Sequence, residues 1–391
     1  MTKPTVMVFA SYYLPGYKAG GPIRSIANMI QHLENEFHFF VLTRDRDLGE
    51  AEPYSGIEPG KWILNSQQSV YYIAPRERTL TGIRNLIFDL QPDILYFNSF
   101  LDFEFTAKTL ILRRIGLLPK NIPLILAPRG ELSSGALALK SSKKHFFIQI
   151  ARLLGLYRNL IWQASSVQEE NDIRAWWGKA VEVCISPNLA PKFSRNSEPA
   201  LRHDRSKTPG KLRIVVLSRV ARNKNITGAL RILKNIKTNV EFTIYGPIED
   251  KVYWRQCQDL IQTLPQNVSV RYQGEVNPQK VISVLSNYEL FFFPTHGENF
   301  GHVILEALMA GCPLLLSDQT PWRDLSAKKI GFDIPLNRPD KYEIVIEQFA
   351  AMSQQEFYTW SCNARDYGLK YVENPDSVKE TRRMLEKAMT S

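Results

Sequence analysis

Hydrophobic and polar positions along the chain switch repeatedly between two periods. Short unbroken apolar runs at 5–10, 37–42, 69–73, 94–97 and 124–127 read as strands, because a strand covered on both faces shows no polar alternation. Between them, 23–33, 83–90 and 146–156 place apolar residues three and four apart, the spacing of an amphipathic helix. A second series begins at 212, where strands at 212–217, 240–245 and 268–272 alternate with helices at 226–236, 252–264 and 278–285. This alternation predicts parallel sheets wrapped by helices, an α/β class. The polar stretch 191–211, entered through Pro187 and Pro191, reads as a linker between domains at 1–190 and 212–353, and 354–371 and 375–389 read as closing helices.

Composition narrows the class without naming a function. A chain of 391 residues with 44% hydrophobic side chains is long enough for two ordinary globular domains. No apolar run approaches the roughly 20 residues that span a bilayer, and the apolar start at 5–10 is too short for a signal peptide. Cys184, Cys257, Cys312 and Cys362 form no Cys-x-x-Cys pair, so reduced thiols in a cytoplasmic compartment are expected.

The net charge of +10 is concentrated in one segment. Residues 105–160 hold ten basic side chains against Glu131 alone, so nearly the whole excess is local. Phe146, Phe147, Ile148, Ile150, Leu153, Leu154 and Leu156 interleave with part of it, a basic amphipathic pattern suited to an anionic lipid surface. The alternative is a core-packed helix with a solvated basic face. No nucleic-acid-binding motif accompanies the charge, so no nucleic-acid partner is expected.

The most informative stretch follows the apolar run at 288–293. Pro294 stops that strand, His296, Gly297 and Glu298 form a loop, and Val303, Ile304, Ala307 and Leu308 then recur at helical spacing until Gly311 and Pro313. One carboxylate therefore feeds a helix N-terminus, and a second, Glu306, lies about two turns further on. A helix N-terminus attracts an anion such as a diphosphate, and neighbouring carboxylates can accept from sugar or ribose hydroxyls. A bare glutamate pair at this spacing would otherwise be a solvated face. Eight helical residues rise about 12 Å, too far for the paired carboxyls of a glycosidase, which stand roughly 5 to 10 Å apart. His302 and Glu306 share a helical face, yet no third ligand is evident, so no metal site is expected.

With Phe300, Gly301, Ala307, Gly311, Cys312 and Pro313 in place, the Glu298…Glu306 arrangement resembles the signature of the retaining family 4 (group 1) glycosyltransferases of the GT-B fold. The resemblance implies two Rossmann-like domains facing across a cleft, with the C-terminal helices crossing back to the first. It also implies a nucleoside-diphosphate sugar as donor substrate, no cofactor and no metal. Glu298 would then position the donor sugar and Glu306 the ribose, with Asn299, Phe300 and Gly301 lining the donor site.

Other segments fit the same reading. Arg219 and Lys224 follow the first strand of the second series, in the crevice position of an α/β sheet, and match the pair that neutralises the leaving diphosphate in the family. Alone, they would be an exposed basic loop. Gly20 and Gly21 precede the first helix, where glycine lets backbone approach a phosphate, and they resemble the family's first glycine-rich loop. Gly246, Glu275 and Val276 end strands of the second series and by resemblance line the base pocket. The segment from Ala127 to Gly135 also looks like a family segment on the acceptor side, making Arg129, Glu131 and His145 the acceptor-side candidates. Asp45 and Asp47, flanked by Arg44 and Arg46, read as a charged surface loop rather than a metal pair.

The expected function is a metal-independent, retaining transfer of a sugar to a hydroxyl acceptor, a lipid-linked saccharide of cell-surface polysaccharide synthesis, in the cytoplasm or peripheral on the inner membrane face. Rival readings are a sugar-nucleotide epimerase or a phosphorylase on the same fold, and a non-catalytic sugar-nucleotide-binding protein.

Overall fold

The structure is a computed structural model that describes residues 3–65, 68–138, 141–192 and 206–390. The chain divides into two compact units, residues 1–192 with 375–391, and residues 193–374. Residues 193–205 of the expected linker lie outside the described residues.

The first unit runs β1 (Thr5–Ala10), α1 (Gly21–Leu33), β2 (His38–Arg44), β3 (Trp62–Leu64), β4 (Ser69–Ile73), α2 (Leu80–Leu90), β5 (Ile94–Asn98), α3 (Lys108–Arg114), β6 (Leu124–Ala127), α4 (Ser134–Ala138), α5 (Ser141–Leu153), β7 (Ile161–Ala164), α6 (Val167–Trp177) and β8 (Val183–Ile185). Its sheet has the order β3-β4-β2-β1-β5-β6-β7-β8, parallel except where β3 pairs antiparallel with β4. Both faces are covered, which is why the strands read as unbroken apolar runs. Val6 and Val8 of β1 pack with Ile23, Ile26 and Ile30 of α1, while Met7 and Phe9 point into a second cluster with Phe97, Phe105 and Leu110.

The second unit runs β9 (Lys211–Leu217), α7 (Ile226–Leu233), β10 (Asn239–Tyr245), α8 (Lys251–Ile261), β11 (Val268–Gly274), α9 (Val281–Leu285), β12 (Leu290–Phe293), α10 (His302–Met309), β13 (Leu314–Ser317), β14 (Gly331–Ile334), α11 (Pro339–Ala351) and α12 (Gln354–Glu373). Its sheet is fully parallel with the order β11-β10-β9-β12-β13-β14. The strand order reverses between β9 and β12, so the loops leaving these two neighbours flank the crevice where such sheets bind ligands.

One expectation about the ends of these units is corrected. Only the last helix, α13 (Asp376–Thr390), returns to the first unit, where Met384, Leu385 and Ala388 join the α1 cluster and Arg382 pairs with Glu36. Residues 354–371 fall in the second unit instead, where α12 completes α10. Ser361 Oγ donates to Gly311 O at 2.6 Å and Arg365 Nη1 to Met309 O at 3.0 Å, satisfying carbonyls that a helix end leaves unpaired. The end of the expected linker packs on the second unit. Lys207 is buried, and its ammonium donates to Thr208 O, Lys211 O and Ala350 O at 2.9, 2.6 and 2.9 Å.

Candidate functional site

Two loops meet at the strand-order reversal of the second sheet. The loop after β9 ends in a short 3-10 turn, Arg222–Lys224, and Asn225 (φ 54°) then caps α7 by accepting from Gly228 N. The loop after β12 carries Thr295 to Gly301. They are stitched together by Asn225 Nδ2 donating to Pro294 O at 2.9 Å, Thr295 Oγ1 to Asn223 O at 2.9 Å, and His296 N to Asn223 O at 2.8 Å. Held this way, Lys224 Nζ lies 2.7 Å from Glu298 Oε2, and the ammonium also stands 5.5 Å from the centre of the Phe293 ring. Only 11% of the Lys224 side chain and 20% of Glu298 are exposed, so the pair sits in a medium that strengthens its attraction.

The loop after β13 supports this pair from behind. Gln319 O accepts from Glu298 N at 3.0 Å, and Trp322 Nε1 donates to Phe300 O at 2.5 Å. Gly301 caps α10 with φ 77°, and a Cβ there would stand 2.5 Å from Ile304 Cδ1 and 3.1 Å from Glu298 Cγ. The left-handed φ favours glycine here, and the space beside Glu298 is tight. Glu306 stands half-buried in the second turn of α10, and Asn299 is half-buried in the loop.

Arg219 lies on the loop after β9. It pairs with Glu249 on the loop after β10, and Arg222 pairs with Asp250. Gly246 joins these loops. Its N–H donates to Gly274 O at 2.7 Å, its φ is 126°, and a Cβ would stand 1.9 Å from Ser218 O. Glu275 is exposed and Val276 half-buried after β11. Sequence reasoning gave no role to Asn223, Asn225, Thr295, Trp322 or Glu249. An Asn directly before an apolar helical stripe was a usable capping signal for Asn225.

In the first unit, Gly20 caps α1 with φ 77°, and Gly21 opens the helix ahead of Pro22. The loop before them is held by Asp47, whose Oδ2 accepts from Tyr17 N at 2.9 Å and Lys18 N at 3.2 Å. Asp45 and Asp47 are buried, which corrects their reading as a surface loop. Loop N–H groups need acceptors, and Asp47 supplies them from within.

The acceptor-side candidates separate. Arg129 (φ 56°) donates to Asn98 Oδ1 at 3.1 and 2.6 Å, to Tyr96 Oη at 2.8 Å and to Asn188 Oδ1, a set of neutral partners along the carboxyl ends of β5 and the segment after β8. Glu131 accepts from Ser99 Oγ at 2.6 Å and from Leu101 N at 2.9 Å. The residue keeps a partly exposed edge, but protein packs around the carboxyl, and that burial pushes it up to about 7 against the pull of its hydrogen bonds. Burial also raises Asp102. His145 of α5 stands apart, its ring edge-on to Trp176 at 5.2 Å between centres. Ser99, which sequence reasoning passed over, has φ 98°, a conformation that costs a non-glycine residue on the order of 1–3 kcal/mol.

Among the described residues, no group of three or more His, Cys, Asp or Glu could hold a metal ion, and no helix is long and apolar enough to cross a membrane. A cavity of about 570 Å³ lined by Arg213, Glu241 and Asn267 opens at the amino ends of β9 and β10 and contains none of the candidate residues.

Residues 197–358 match the family model described as glycosyl transferases group 1. No curated protein matches the chain by sequence. Sucrose-phosphate synthase from Thermosynechococcus elongatus aligns with a TM-score of 0.73 at 15% identity, over 99% of each chain. Anabaena HepE in complex with UDP and glucose aligns with a TM-score of 0.68 at 14% identity, over 99% of this chain and 100% of that one. WaaG, a glycosyltransferase involved in lipopolysaccharide biosynthesis, aligns at 0.66 with 13% identity over 97% and 98%. The fold is GT-B.

Proposed function

We propose that this chain is a retaining glycosyltransferase that needs no metal and moves a sugar from a nucleoside-diphosphate sugar to the hydroxyl of a lipid-linked saccharide in cell-surface polysaccharide synthesis. The observation that carries the proposal is the Lys224–Glu298 pair at the strand-order reversal of the second sheet. The bound diphosphate draws Lys224 from Glu298, and the released carboxylate accepts from hydroxyls of the donor sugar. Lys224 and Arg219 then neutralise the charge that grows on the departing diphosphate, the step where preorganised charge helps most. Glu306 accepts from the ribose, Asn299, Phe300 and Gly301 line the donor, and Gly246, Glu275 and Val276 face the base. Arg129 and Glu131 serve the acceptor from the first unit, and Gly20 and Gly21 leave room for backbone to approach the ligand. The UDP in the HepE structure makes uridine the first base to test.

The lipid-linked acceptor has its own support. On α5, Phe147, Ile148 and Ala151 pack into the core, while Phe146, Ile150 and Leu153, with Leu154 just past its end, form an exposed stripe, with Leu153 86% exposed. Arg114 Nε donates to Leu154 O at 3.0 Å, bringing exposed Ile115 and Leu117 to the same end. Exposed apolar side chains amid basic ones suit the inner membrane face. The involvement of WaaG in lipopolysaccharide biosynthesis points the same way.

The test is release of nucleoside diphosphate from a panel of nucleotide-sugars, with and without alkyl glycoside acceptors, and with the product's anomeric configuration read by NMR. Acceptor-stimulated release with the donor's configuration kept is expected, without loss in chelator. Sugar-nucleotide isomerisation without any acceptor, or a requirement for inorganic phosphate, would favour a rival.

A further inference from the structure

The first sheet has its own strand-order reversal, between β1 and β5, and the turn leaving β5 is the most constrained in that unit. Ser99 adopts φ 98°, in a region that suits glycine. The polar groups of Ser99 have partners within the protein. Ser99 N donates to Ala127 O at 3.0 Å, Ser99 O accepts from Thr106 Oγ1 at 2.8 Å, and Phe100 O accepts from Tyr157 Oη at 2.9 Å. Glu131 spans the turn, one carboxyl oxygen on Ser99 Oγ and the other on Leu101 N. The Phe100 ring is sunk among Phe147, Tyr157, Trp162 and Trp177, and Asp102 fixes the far end by accepting from Ser11 Oγ, Glu104 N and Phe105 N. Ser99 and Leu101 stay partly exposed.

A turn with only a connecting role would relax with glycine at this place. Here a serine is held in a left-handed conformation by a desolvated carboxylate, at the edge of the sheet where α/β folds bind ligands. Strain persists where its surroundings over-determine it, and such places are concentrated at ligand sites.

We infer that the Ser99 turn is a preformed binding surface for the hydroxyl-bearing saccharide acceptor and that Glu131 is its positioning residue, acting through Ser99 and Leu101 rather than by touching the sugar. This rests on the transferase reading proposed above. It assigns Glu131 to the shape of the turn and Ser99 to the contact.

The experiment uses the full chain, UDP-glucose as donor, and octyl β-glucoside, β-galactoside and β-mannoside below their micellar concentrations as acceptors. Glu131→Ala is expected to raise the acceptor KM at least tenfold, a larger change than in the donor KM. Glu131→Gln, which can still accept from Leu101 N and donate to Ser99 Oγ, should restore most of the loss. Ser99→Ala should raise the acceptor KM with Glu131 intact, which keeps the test alive if Glu131→Ala fails to fold. Unchanged acceptor KM in Ser99→Ala and Glu131→Gln, with Glu131→Ala either unchanged or unfolded, overturns the inference, as does equal loss of donor and acceptor terms. Use of none of the glycosides by a wild type that hydrolyses donor also overturns it. A wild type that hydrolyses no nucleotide-sugar refutes the transferase reading instead.

Discussion

Lys224 Nζ meets Glu298 Oε2 at 2.7 Å across loops that leave two hydrogen-bonded parallel strands, β9 and β12. Removing one partner of a partly buried pair strands the other charge, whereas removing both does not. Lys224→Ala and Glu298→Ala should each destabilise by about 1–2 kcal/mol, and the double variant should recover about 1 kcal/mol of the sum. Denaturant unfolding of the four proteins measures this. Strict additivity would mean that the contact carries no energy.

Gly246→Ala tests the join between the loops after β9 and β10. The added Cβ would stand 1.9 Å from a backbone oxygen at a φ of 126°, so neither rotamer nor neighbour can relieve it. A loss of about 3 kcal/mol or more is expected. A variant within about 0.5 kcal/mol of wild type would show that the loops separate easily.

The pH dependence at Glu131 has a definite sign. Its folded-state value is raised from 4.5 to about 7, so the native state holds this proton over a range where the unfolded chain has released it. Stability therefore falls as pH rises from about 4.5 to 7, by about 3 kcal/mol at most, and is level above. Asp102 is shifted in the same direction, so the difference between Glu131→Gln and wild type isolates the Glu131 share. Thermal melts across this range should show a flatter profile in the variant. Parallel profiles would remove Glu131 as the source.

The exposed stripe on α5 predicts a separation of binding from stability. Leu153→Ser with Leu154→Ser replaces side chains that are 86% and 52% exposed, so melting should change by no more than about 0.5 kcal/mol per site. Sedimentation with phosphatidylglycerol vesicles should fall at least fivefold, and wild-type binding should weaken as salt rises. Binding equal to wild type would leave the stripe without a membrane role.

Period and motif made much of this legible. Strands buried on both faces announced themselves as unbroken apolar runs, and β1, β4 and β6 fall at the expected residues. Trp62–Leu64 and Val183–Ile185 are apolar too, but three residues at the sheet edges are too short a run to stand out. Lys224 and Glu298 were visible as a basic loop and an acidic loop after apolar strands, but their contact depends on strand order, which sequence spacing does not encode. Asp47 was misread because its partners are backbone N–H groups of Tyr17 and Lys18, which leave no side-chain trace. The place of α12 was missed for a similar reason, since Ser361 and Arg365 serve carbonyls at the end of α10.

The account rests on Lys224 as the diphosphate ligand with Glu298 as its resting partner, and calorimetric titration with UDP addresses this directly. Lys224→Ala should weaken UDP at least tenfold, while Glu298→Gln, which frees the ammonium, should bind UDP as tightly as wild type or more tightly. Equal UDP affinity in wild type and Lys224→Ala would contradict it.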